Sequence, residues 1–164
     1  SGFAIELRRN PLDKSRVELV VRTHLDDMAR DLGIGDHTLV VDCGRCFEER
    51  KASCHRQVPY KRADIRIDHD ASHDDADVIR DLRHELIHVV LGEMDVAWNA
   101  ARNAMGPDST SFAMFDSTWT FGIERAVGGV ERILDHLGHT PESILARKPL
   151  VEESVKHSPE DSSH

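Results

Sequence analysis

Five consecutive residues, His84-Glu85-Leu86-Ile87-His88, combine side chains that can hold a divalent metal with one that can move a proton. Imidazoles four apart on an α-helix are separated by about 40° in azimuth and about 6 Å along the axis, so both can reach one ion. Zn²⁺ takes such nitrogens at about 2.0–2.1 Å; a catalytic zinc has three protein ligands and keeps a fourth position for water. It also lowers the pKa of that water towards about 7. The Glu85 carboxylate, beside the first imidazole, points to the water instead of the ion and can accept its proton. His84 and His88 are therefore candidate metal ligands, and Glu85 a candidate general base.

The chain has 11 histidines, a surplus that raises the odds of a chance match. The setting lowers them again. Leu82, Leu86, Ile87, Val89, Val90 and Leu91 flank the motif, and polar side chains on so apolar a helix need partners.

A third ligand has to come from elsewhere. A metzincin-type continuation needs Gly three and His six residues after His88; those positions hold Leu91 and Met94, which excludes that class. Glu124, in the run GIERAVGGVERIL, ranks first, because Ala126, Gly128 and Gly129 would let its helix approach the motif helix closely. Asp95 requires the motif helix to stay regular past Gly92. Glu131 follows, then Asp116 or a further histidine. The competing reading of Glu124 is an acidic residue favoured by the positive end of a helix alone.

These side chains need a frame. A first helix is expected over residues 15–32, opened by a Ser15/Glu18 capping box, with Val17, Val20, Val21, Leu25, Met28 and Leu32 as a stripe packed on a sheet. Three strands follow: residues 38–41, a weaker one at 51–57, and 62–68, in which Ala63, Ile65 and Ile67 alternate with charges. That alternation suits an edge or half-exposed strand. The motif helix spans about residues 74–93, N-capped around Ser72 and Asp75. A short helical continuation at 96–104, a loop at 105–112 and a last helix at 120–137 complete the chain. Phe112, Phe115, Trp119 and Phe121 fall between the two key helices, as core in the first instance and as pocket lining in the second.

The 164 residues suit one domain, residues 1–149, with a polar tail at 150–164 expected to be disordered. Thirty acidic against 21 basic residues give a net charge of −9, which argues against non-specific nucleic-acid binding. No apolar run reaches the roughly 18 residues of a membrane span. The opening SGFAIELRRN lacks a signal peptide's apolar stretch, and three cysteines fit a reducing, cytoplasmic compartment.

The stretches YKRADIRID, DLRHELIHVVLGEMD and GIERAVGGVERIL, in that order, resemble the small zincin-fold metallopeptidases, especially the glutamate-ligand branch (gluzincins) and phage- or prophage-encoded metallopeptidases. The resemblance spans about residues 39–137, and only its helix motif is specific. It implies an α+β, zincin-like fold: an N-terminal helix, a small three-stranded, mostly antiparallel sheet, the H-E-x-x-H helix and a C-terminal helix supplying Glu. His84, His88 and Glu124 would then hold one catalytic Zn²⁺, with Glu85 as base. The strand at residues 63–68 would be the edge on which a peptide substrate pairs. Larger gluzincins carry an acidic residue four after the ligand Glu, where this chain has Gly128. Asp81 is the candidate for a carboxylate behind a ligand histidine. Tyr60, His136 and His139 are available as oxyanion partners, none of them marked out.

Cys43-Gly44-Arg45-Cys46 with Cys54-His55 offers a second, structural zinc site, but neighbouring strand residues point to opposite faces, and free cysteines are favoured. The expected function is zinc-dependent hydrolysis of a protein or peptide substrate. The alternative is a regulatory or non-catalytic zinc-binding protein that senses or binds a protein partner.

Overall fold

The computed structural model describes residues 10–46, 52–57 and 61–150. Among them, five α-helices and three strands build an α+β fold, in the order α1 (Lys14–Asp31), β1 (Thr38–Asp42), β2 (Ala52–Gln57), β3 (Arg62–Ile67), α2 (Asp75–Val90), α3 (Met94–Met105), α4 (Thr110–His136) and α5 (Pro141–Arg147).

Short carboxylates start the first two long helices. Asp13, not Ser15, caps α1: its carboxylate accepts the Arg16 N–H at 2.8 Å and the Ser15 hydroxyl at 2.7 Å. Asp74 caps α2 by accepting the Asp77 N–H at 2.8 Å. Ser72, expected to share that role, is instead buried, and its carbonyl accepts the Leu12 N–H. In both cases an aspartate at the true boundary wins, because an ionised acceptor at the helix's positive end gains from the dipole as well as the hydrogen bond.

The sheet is mixed, with strand order β1-β3-β2. β3 pairs in parallel with β1 (Thr38↔Arg62 to Asp42↔Arg66) and antiparallel with β2 (Ala52↔Ile67 to Gln57↔Arg62). Two expectations are corrected here. The sheet is not mostly antiparallel, because β3, filling the slot between β1 and β2, runs parallel to the first and antiparallel to the second. β3 is not an edge: it is the central strand, and the edges are β1 and β2. Alternation reports one buried face, with Ala63, Ile65 and Ile67 at 2 % exposure or less. It carries no information about how many strands flank that face.

α2 crosses this buried face and is the hub of the fold, touching α1, β2, β3, α4 and α5. Val78, Ile79, Leu82 and Leu86 are fully buried in one core with Val17, Val20 and Met28 of α1 and the β3 residues. Each such side chain is worth about 1.5–3 kcal/mol over leaving it in water. The α1 stripe therefore packs chiefly on α2 while sharing the sheet's core. After α2, the 3₁₀ turn Leu91–Glu93 breaks the helical path before α3.

α4 begins ten residues before the expected start, directly after the loop closed by Gly106 (φ 83°) and the Ser109 cap. The aromatic residues thus belong to a helix and divide. Phe112 is buried against Trp98 of α3, whereas Phe121 is 64 % exposed. α5, opened by a Thr140 cap and Pro141, was not foreseen. Of the expected tail only Leu150 falls among the described residues, where it packs against the core. No helix among the described residues is long and apolar enough to cross a membrane.

Candidate metal centre

The site forms where the last turns of α2 meet the middle of α4. On α2, the face opposite Leu82 and Leu86 carries His84 and His88, their rings 5.0 Å apart and inclined at 66°. On α4, Glu124, Val127 and Glu131 recur at i, i+3 and i+7, which places them along one side of the helix. Val127 is fully buried, and the two carboxylates flank it.

Glu124 reaches both imidazoles. Its Oε2 lies 3.4 Å from His84 Nε2 and its Oε1 3.1 Å from His88 Nε2. Of the acidic alternatives to Glu124, none shares this position. Asp95 is held by Arg56 of β2, with contacts of 2.8 Å from Nη2 and Nε. Asp116 accepts the Trp98 indole N–H at 2.8 Å. Glu131 faces the far nitrogen of His84, its Oε1 3.3 Å from Nδ1. His84, His88 and Glu124 are the one group of three or more such side chains, among the described residues, with ligand atoms close enough to share an ion.

The donor set fits Zn²⁺. Two imidazole nitrogens and a carboxylate oxygen are ligands Zn²⁺ takes, and one such atom from each of the three residues lies within 4.8 Å of the others. Glu131 completes the arrangement: with the proton on Nδ1 donated to its carboxylate, the Nε2 lone pair of His84 faces the site. Asp81 was one candidate for a carboxylate behind a candidate ligand histidine; Glu131 on α4, seven residues after Glu124, stands at Nδ1 of His84. That spacing of two helical turns was the available signal.

Electrostatics separate the two imidazoles. The Glu131 hydrogen bond raises the pKa of His84, while burial lowers that of His88. Glu85 is 5 % exposed, and burial pushes its carboxyl up to about 7, with Glu124 and Asp81 adding to the rise. Glu85 lines the same cleft as His84, His88 and Glu124.

That cleft encloses about 1370 Å³ between β2, the exposed side of α2, α3 and α4. Arg56 organises one end: besides Asp95 it donates to the His88 carbonyl at 2.7 Å, tying β2 to the last turn of α2. Arg83 does the same on the other side. Buried at 4 %, it donates to Asp135 and to the His139 carbonyl, both at 2.7 Å, and so holds the end of α4 on α2. Neither arginine carried a sequence signal, since each role depends on a partner more than 30 residues away. The glycines expected to permit close helix packing do not do so. A Cβ at Gly128 or Gly129 would meet only Arg132 of the same helix.

His136 and His139, weighed as oxyanion partners, are not among the cleft-lining residues, and Tyr60 lies outside the described residues. Among the described residues, Cys43, Cys46, Cys54 and His55 do not gather into a ligand group. Burial pushes the thiols of Cys43 and Cys54 up to about 11 and about 12. The chain matches no family model, no curated protein and no solved structure.

Proposed function

We propose that the protein is a zinc-dependent peptidase of zincin type, with His84, His88 and Glu124 as ligands. The observation that carries this is the convergence of one carboxylate from α4 on both imidazoles of α2, with a buried glutamate between them that no structural metal site would need. Bound Zn²⁺ would polarise the scissile carbonyl and acidify the attacking water. Glu85 is placed to act as the base: it would accept a proton from that water and pass it to the departing amine. Glu131 keeps the His84 ring in one orientation. Arg56 fixes the end of α2 against β2, so the ligands are held on rigid elements.

A peptide needs an edge to lie along. Among the described residues β2 has one free side, and its residues 52–57 line the cleft, so it takes the role first expected of the strand at 63–68. The test is mass-spectrometric detection of cleavage in a broad peptide library, comparing zinc-loaded protein with Glu85→Gln. Products made by the first and not by the second support a peptidase. If both give identical libraries, the chain binds metal without hydrolysing peptides.

A further inference from the structure

Among the carboxylates that line the cleft, Asp116 is one whose only partner among the described residues is an uncharged donor. Asp95 is paired with Arg56, and Glu131 and Glu124 face the imidazoles of the metal site. The other guanidinium at the cleft, Arg80, is held by Asp77 at 2.6 Å. Asp116 differs, because its donor is the Trp98 indole N–H. A neutral donor fixes the carboxylate without cancelling its charge. Arg102 lies over the Trp98 ring, 5.9 Å from its centre, yet makes no ion pair with Asp116 and does not line the cleft.

The surroundings suit a cation. Trp98 and Trp119 both line the cleft, and Trp119 follows Asp116 by three residues on the same side of α4. Indole rings attract a guanidinium through their faces, and a planar guanidinium also matches a carboxylate edge. Asp116 precedes Glu124 by eight residues, about 12 Å along the helix, which is about three to four residues of extended peptide.

We propose that Asp116, Trp98 and Trp119 form a subsite for a cationic side chain, arginine before lysine, on a peptide lying in the cleft. The subsite rests on the proposed function only in requiring that the cleft binds peptides. Its position selects a basic residue a few places from the bond that faces Glu85.

The test is binding, measured by fluorescence anisotropy on the full chain as zinc-loaded Glu85→Gln. A set of labelled peptides carries a single arginine at successive positions, each matched by a peptide with citrulline, which has the same shape without the charge. At one position arginine binds about tenfold tighter than citrulline. Asp116→Asn keeps an acceptor for the Trp98 N–H and abolishes that preference. Equal affinity of every matched pair, an undiminished preference in Asp116→Asn, or no peptide binding at all overturns the subsite. Hydrolysis is scored separately with Glu85 present. Arginine-dependent binding without cleavage removes the peptidase and leaves the subsite; cleavage without arginine preference removes only the subsite.

Discussion

Glu131 Oε1 stands 3.3 Å from His84 Nδ1, while the same imidazole offers Nε2 to Glu124 at 3.4 Å. One ring thus faces a carboxylate at each nitrogen, the two acids lying two turns apart on a single helix. A small rotation of α4 against α2 would disturb both contacts together. Glu131→Gln keeps an acceptor but loses the charge, and zinc affinity should fall about 10–100-fold, as is usual for partners behind a ligand histidine. Competition against a chelator of known affinity measures this; unchanged affinity would show that the contact does not orient His84.

Arg56 joins three elements, and its loss should be felt as stability. In Arg56→Met, Asp95 and the His88 carbonyl both lose a charged donor, at a cost of about 1–3 kcal/mol. Both side chains of the Arg56–Asp95 pair are less than one third exposed, so solvent screens the interaction only in part. Urea unfolding of the metal-free protein checks it.

His24 predicts an acid-sensitive core. It is 2 % exposed on α1, its Nε2 has no hydrogen-bond partner among the described residues, and burial, helped by Lys148, lowers its pKa below 6.5. The folded state therefore holds the neutral ring, and the unfolded chain binds the extra proton first. Stability from this residue is fully present above about pH 6.5 and declines as pH falls below it. The stability difference between wild type and His24→Leu, measured at pH 7.5 and 5.5, isolates that contribution from other titrating groups. It should favour His24→Leu more strongly at the lower pH.

One zinc per chain is expected, and Cys46→Ser should retain it. Metal analysis by mass spectrometry reads this directly. A second equivalent lost on that substitution would place a metal on the cysteines after all.

Local chemistry was legible in the sequence wherever it depended on spacing within one element. The His84/Glu85/His88 pattern, the buried alternation of β3 and the stripe of α1 all follow from helical or strand periodicity. The position of Glu124 beside both imidazoles was anticipated from a Glu standing in a small-residue run, although the glycines proved irrelevant to the packing. What stayed hidden depends on tertiary pairing. Glu131 reads equally well as a ligand or a surface acid until α4 is laid on α2. β3 reads as an edge until β1 is found on its other side. The early start of α4 was masked by MGPDSTSF, whose turn residues end at a Ser109 cap instead of extending through Phe112.

Zinc K-edge absorption on protein loaded with one equivalent examines the centre itself. Two imidazole nitrogens and oxygen ligands at about 2.0–2.1 Å are predicted, with one oxygen signal belonging to exchangeable water. Glu124→Ala should then lose zinc, whereas Glu85→Gln should keep the same spectrum. A sulfur ligand at about 2.3 Å, or a fourth protein ligand closing the site, would contradict a hydrolytic centre built on His84, His88 and Glu124.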